Sequence, residues 1–214
     1  MTKKVSRGGR PSRAEAGMIE SKILDAAAAL FFSQGYGSVT IEEVARTAQI
    51  SKRTFYARFE DKAALFRAVV GRIIQQVRPS SPETDLLFQG DQVEVVLRRI
   101  APVILKASLS ENALSLHRVM LAEAKRFPEL ALIMNEQNTR QEAITRIAKL
   151  LEPTTNQDAP RSPKALFAAE QFLFMLTAGP QRRALGFGPP MQAAELEAWA
   201  THTIDLFMHG YGLK

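Results

Sequence analysis

The chain has 214 residues, of which 46% are hydrophobic and 23% charged. That is the balance of an ordinary globular protein with room for one or two domains. Cysteine is absent, which excludes disulfides, thiolate metal sites, cysteine nucleophiles and thiol redox sensing. The formal net charge of +6 is unevenly held. Residues 1–78 carry 14 Lys and Arg against 7 Asp and Glu, whereas residues 79–214 carry 14 against 15. A polyanion-binding front end on a near-neutral body is one reading of that asymmetry; a solvated basic tail is the other.

In chain order, residues 1–17 read as a flexible basic arm. Lys3, Lys4, Arg7, Arg10 and Arg13 alternate with Gly, Ser and Pro, and such a stretch buries no apolar surface. Arginine beside Gly-Gly and Pro suits a narrow minor groove, although many such tails bind nothing. No apolar segment follows as in a signal peptide, and no run reaches the roughly 18 apolar residues that cross a bilayer. The expected location is the cytoplasm, with no membrane partner.

The rest reads as helix. Period-two alternation is missing, and Ala, Leu, Glu, Arg and Gln dominate, so the predicted class is all-α. A first helix is expected from about 18 to 34, with Ile23, Ala27, Leu30 and Phe31 on one face. Gly35 and Gly37 around Tyr36 end it. Thr40 stands three residues before Glu43, a capping box that opens a short helix over 41–48. Ser51 caps another short helix ending near Phe59. Asp61 caps a longer one over 62–77, with Leu65, Phe66, Val69, Ile73 and Val77 on its apolar stripe. The break Pro79-Ser80-Ser81-Pro82 separates a domain over 18–79 from a larger helical one over 80–214. Helices are expected there at about 91–109 (kinked at Pro102), 111–126, 129–151, 164–178 and 191–209, with loops at 152–163 and 179–190.

Two short capped helices joined by a tight turn form a helix-turn-helix. At 100° per residue from Ser51, Phe55 and Phe59 lie at about 40° and about 80° and point inward. Arg53, Thr54, Tyr56 and Ala57 occupy the opposite half, flanked by Lys52 and Arg58. Arg53 suits guanine O6 and N7, and Ala57 admits close approach and a thymine methyl. Thr54, Tyr56, Lys52 and Arg58 suit phosphate oxygens. Thr40 at one N-terminus and Lys62 at another are placed for the backbone, with the amides of the capped helices, including that capped by Ser51.

Residues 21–70 resemble the DNA-binding domain of TetR-type transcriptional regulators. The resemblance rests on Thr40-Ile41-Glu42-Glu43-Val44-Ala45, then Ile50-Ser51-Lys52-Arg53-Thr54-Phe55-Tyr56-Ala57-Arg58-Phe59, then Asp61-Lys62-Ala63-Ala64-Leu65-Phe66. It implies DNA contacts at Thr40, Lys52, Thr54, Tyr56 and Lys62. Arg58 stands where His or Tyr is more usual. Gln49 stands in the turn where the family generally has Gly, a position under strain if the turn needs positive φ. Residues 117–131 resemble the ligand-domain segment of the AefR-like branch.

That resemblance implies a helical ligand-binding and dimerisation domain, double-stranded DNA with a palindromic operator as partner, and a small-molecule inducer. Pocket candidates are His117, Met120, Met134 and Phe174, for each of which ordinary core packing is the stronger reading; His117 equally suits an exposed position. In 164–178 the apolar residues run nearly all round the helix, so a second side needs cover. A two-fold dimer is expected through this helix and the last one, with Leu166, Phe167, Phe174, Leu196, Trp199 and Phe207 at the interface. His117, His202 and His209 have no metal-ligand spacing, and no HExxH, GxSxG, P-loop or Rossmann pattern occurs. No catalytic site, metal or cofactor is therefore expected. The competing reading is a helical small-ligand-binding protein without specific DNA binding.

Overall fold

The computed structural model describes residues 13–77, 80–90, 92–137, 139–152 and 161–211; the arm up to residue 12 lies outside them. Among the described residues all regular structure is helical, as the composition predicts. The order is α1 (Arg13–Gln34), α2 (Ile41–Thr47), α3 (Lys52–Tyr56), α4 (Lys62–Val77), α5 (Ser81–Leu87), α6 (Val93–Ser108), α7 (Glu111–Glu123), α8 (Pro128–Glu136), α9 (Thr139–Leu151), α10 (Pro163–Arg182) and α11 (Ala193–Tyr211).

Apolar burial gathers these helices around two cores. The first joins α1–α4 through Ile23, Phe31, Val44, Phe55, Leu65 and Phe66, and it also takes in Leu116 and Val119 of α7 and Leu130 and Ile133 of α8. The second joins α6, α9, α10 and α11 through Leu97, Ile100, Ile147, Phe172, Leu176, Ile204 and Phe207. Two helices of the later sequence therefore also pack with the helix-turn-helix and α4.

The structure departs from the sequence expectation in four places, each with a local cause. The first helix begins at Arg13, not 18. A short helix, α5, occupies part of the stretch read as a break. Glu83 accepts from the Ser80 amide at 2.9 Å and from its hydroxyl at 2.8 Å, a capping signal hidden by the neighbouring prolines. The helix expected over 129–151 is two: α8 is capped at Gln137, and the Thr139 hydroxyl donates to the Gln137 carbonyl at 3.2 Å as α9 begins.

The fourth departure is at Gly179-Pro180, read as a loop but helical. Proline has no amide to donate to the carbonyl four residues back, which is that of Leu176. The Trp199 indole N–H takes that carbonyl at 2.9 Å. Gly179 makes room for the ring: a Cβ there would lie 2.6 Å from Trp199 Cη2. We expect Gly179→Ala to destabilise the second core by about 1–3 kcal/mol. Trp199 is the single tryptophan, so its fluorescence reports the displacement; an unchanged spectrum and melting curve would refute this packing account.

Candidate nucleic-acid interface

The turn between α2 and α3 is built by its caps. Thr40 Oγ1 accepts from the Glu43 amide at 3.2 Å, and Ser51 Oγ accepts from the Thr54 amide at 3.1 Å. Between them Gln49 adopts φ 56°, the left-handed region, while the Ile50 amide bonds the Ala45 carbonyl at 2.9 Å. A β-carbon there costs about 1–2 kcal/mol, part of which is offset by the entropy glycine loses on folding. Gln49→Gly is therefore expected to stabilise the fold by about 0.5–1 kcal/mol, read as a raised urea midpoint. An unchanged or lowered midpoint would mean the turn is unstrained.

α3 presents two unlike faces. Phe55 and Phe59 are buried, with ring centroids 5.7 Å apart. Lys52, Arg53 and Ala57 are exposed, as are Thr40 and Ser51 beside them; Thr54 and Arg58 are half-buried. Tyr56 is 53% exposed, its ring standing edge-on to Phe55 at 5.4 Å. One Arg58 guanidinium nitrogen donates to the Thr54 carbonyl at 3.2 Å. The outward face thus carries cations, hydroxyls and one methyl, the chemistry that base edges and phosphates accept.

Two of the lysines are already engaged. Lys52 Nζ lies 2.5 Å from Glu42 Oε1. That bond holds the Glu42 carboxyl below its usual range and the Lys52 ammonium above its own. Both side chains are more than half exposed, so a phosphate can replace the carboxylate at little cost. Lys62 is held more firmly. Its ammonium donates to the carbonyls of Tyr36 at 3.0 Å, Val39 at 3.1 Å and Gly37 at 3.4 Å, and burial lowers its pKa. At this corner α4 instead offers a capped N-terminus, where Asp61 Oδ1 accepts from the Ala64 amide at 2.7 Å.

Sequence reasoning gave Tyr36 no role beyond sitting between two glycines. It is 2% exposed, and its pKa is pushed up to about 12, by burial first and then by the nearby Glu129 and Asp61 carboxylates. A raised folded-state pKa stabilises fully below the unfolded value near 10 and ceases to do so as pH rises through the folded one. Stability should therefore fall between pH 10 and 12, and Tyr36→Phe should flatten that fall. Identical alkaline unfolding curves for the two proteins would show that Tyr36 does not govern it.

In the body, the predicted pocket residues do not gather. His117 on α7 is half-buried. Met120 and Met134 pack against the first core. Phe174 is exposed on α10, with the Arg140 guanidinium 4.1 Å from its ring centre. None of the four lines the apolar cavity of about 170 Å³ that the structure holds between α4, α5, α6 and α9. Its walls include Ile74, Leu87, Phe88, Ile100, Ile104 and Ala143, with Glu142 and Arg146 among its polar groups. The periodicity of single helices carries no signal for a cavity made where four of them meet.

The interface candidates divide. Phe167 (64% exposed) and Phe174 stand on the outer face of α10, while Leu166 and Leu196 are half-buried. Trp199 is half-buried and Phe207 turns inward. Phe207 is 6% exposed, its ring 5.1 Å from that of Phe172, and Trp199 is committed to Leu176 and Gly179. Leu206 of α11 is 65% exposed. Among the described residues no three His, Asp or Glu stand together as a metal site, and no helix is long and apolar enough to cross a membrane.

Comparison with known proteins agrees with this architecture. Residues 23–69 match the profile of bacterial regulatory proteins of the tetR family. Residues 95–213 match the C-terminal domain of AefR-like transcriptional repressors. The HTH-type transcriptional regulator AcrR of Shigella flexneri is 28% identical over 145 residues, 67% of each chain. A TetR-family regulator from Mesorhizobium loti superposes with a TM-score of 0.73 at 29% identity, over 94% of this chain and 98% of its own. NalD, the secondary repressor of the MexAB-OprM multidrug efflux pump in Pseudomonas aeruginosa, shares the fold, with a TM-score of 0.64 at 21% identity over 91% and 97% of the two chains.

The chain belongs to the TetR family of transcriptional regulators, in its AefR-like branch. It is a DNA-binding regulator with a helical ligand-binding C-terminal domain, in a class of repressors rather than enzymes.

Proposed function

We propose that the protein is a dimeric repressor that reads a palindromic operator through α3 and leaves it when a small apolar molecule occupies the cavity between α4, α5, α6 and α9. The carrying observation is the division of α3, with Phe55 and Phe59 buried and Arg53, Tyr56 and Ala57 outward. Arg53 takes the guanine edge, Ala57 a close base contact, and Thr40, Ser51, Lys52, Thr54, Tyr56, Arg58 and the α4 terminus bearing Lys62 the backbone. The outer faces of α10 and α11, with Phe167, Phe174 and Leu206, meet their two-fold copies in a four-helix interface. Two α3 helices then enter successive major grooves about 34–36 Å apart.

The cavity supports the ligand half of this reading by its place. Ile74 packs against the first core, while Ile100, Ile104 and Ala143 belong to or pack against the second. A molecule seated there touches both cores, so it favours one relative placement over another by its differential affinity. Arg146 bonds Asp85 of α5 at 2.9 Å and lies near Glu142 at 3.3 Å, leaving a neutral apolar body as the best-matched occupant. The test is to sequence the genomic fragments that the purified protein retains. A recurrent palindrome with half-site centres about 10 base pairs apart supports the reading; random fragments reject it in favour of a ligand-binding protein without an operator.

A further inference from the structure

We infer that Glu123 and Phe127, in the elbow between α7 and α8, are positioning residues for DNA recognition: they clamp the turn Gly35-Tyr36-Gly37, so that the body sets the attitude in which α2 and α3 meet DNA. The inference rests on the role of α3 proposed above and adds a control that the helix-turn-helix alone does not contain.

Gly35 and Gly37 both lack a side chain on the side where the elbow sits. A Cβ on Gly35, whose φ is +82°, would lie 2.6 Å from Glu123 Oε1, and one on Gly37 would lie 2.9 Å from the Phe127 ring. The turn that ends α1 is therefore also a socket. Within it the Gly37 amide donates to Glu123 Oε1 at 3.2 Å. The Phe127 ring stands edge-on to Tyr36 at 5.1 Å, and Tyr36 is edge-on to Phe66 of α4 at 5.3 Å. The Tyr36 hydroxyl lies 3.5 Å from Glu129 Oε1. From the other side Lys62 holds the carbonyls of Tyr36, Gly37 and Val39, with its ammonium 4.5 Å from the Tyr36 ring centre.

The clamped segment leads directly into the DNA-facing elements. Val39 is followed by Thr40, the N-cap of α2, and Val44 of α2 shares the first core with Phe55 of α3. The elbow itself is short and closed: the amides of Arg126 and Phe127 both bond the Glu123 carbonyl at 2.9 Å, and Pro128 opens α8. With Leu116, Val119, Leu130 and Ile133 in the first core, α7 and α8 travel with the helix-turn-helix. A head joined to the body by α4 alone would swivel about one helix. A head gripped at the elbow has one attitude, which spares the ordering cost of binding two half-sites at once.

The test uses the full-length protein, an operator fragment that it retains, and the variants Glu123→Ala, Glu123→Gln, Phe127→Leu and Phe127→Ala. Operator affinity is measured over a range of salt, and exchange of the Gly37 amide is followed in parallel. Both alanine variants should bind the operator about tenfold more weakly, with faster Gly37 exchange and the wild-type dependence on salt. Glu123→Gln and Phe127→Leu should recover most of the loss. Unchanged operator affinity in a folded Glu123→Ala protein whose Gly37 exchanges fast overturns the inference. So does a dependence on salt that differs from that of the wild type, which would mean that the substitutions act through charge and not through the attitude of the head. If Phe127→Ala does not fold, Glu123→Ala and its Gln counterpart decide alone. Wild-type preference for the operator over scrambled DNA, measured in the same series, tests the reading of α3 separately from the clamp.

Discussion

Arg53→Ala combined with Tyr56→Ala is expected to reduce operator affinity about 100-fold or more while leaving the fold and the subunit contacts as they are. Both side chains are exposed on α3, and among the described residues no ion pair holds Arg53, so their removal opens no cavity. A bidentate arginine–guanine contact contributes about 1–3 kcal/mol of discrimination, and a two-fold complex makes it once in each half-site. Loss of the Tyr56 hydroxyl removes a backbone contact and should weaken binding to all sequences alike. The two effects separate in single variants. Arg53→Ala should relax base preference at one position per half-site, and Tyr56→Ala should lower operator and non-operator affinity together. Melting curves measured beside the binding curves check the fold; a double variant that still discriminates operator from scrambled DNA would move base reading off α3.

The second large effect is on stability. Phe55 is fully buried among the rings of Tyr56 at 5.4 Å and Phe59 at 5.7 Å, inside the core that α1–α4 share with α7 and α8. Truncation to alanine should cost about 3–5 kcal/mol, a large part of the 5–15 kcal/mol that holds an ordinary domain. Denaturant unfolding should show the loss directly. Because α7 and α8 contribute to the same core, their amides should lose protection with those of α1–α4 and ahead of those of α10 and α11. Phe55→Leu keeps most of the volume and should cost less than about 1.5 kcal/mol. A Phe55→Ala protein as stable as wild type would mean that the ring does not anchor α3.

The local elements were the legible part of this sequence. Thr40 and Ser51 announce α2 and α3 because a hydroxyl cap is a contact within four residues. The two faces of α3 follow from the spacing of Phe55 and Phe59 alone, and the strain at Gln49 follows from its place in the turn. What stayed hidden depends on partners far along the chain. Gly179-Pro180 reads as a stop until Trp199 supplies the missing donor to the Leu176 carbonyl, 23 residues earlier in the chain. Gly35 and Gly37 read as a helix end, and only Glu123 and Phe127 reveal them as a socket. Met120 and Met134 suit core packing better than a pocket, and the packing of α7 and α8 onto α1–α4 sets them against the first core. Phe207 and Leu206 are adjacent, and which of them is buried turns on one step of helical rotation that local spacing alone does not fix.

The account stands on α3 reading bases with Arg53, Tyr56 and Ala57 turned outward. The most direct measurement is the wild-type protein's affinity for its retained fragment and for a scrambled fragment of equal length and composition, across a range of salt. The account predicts a preference of about 10³-fold or more for the retained fragment, maintained as salt rises while both affinities fall in proportion to the phosphates contacted. Equal affinity for the two fragments at every salt concentration would contradict it.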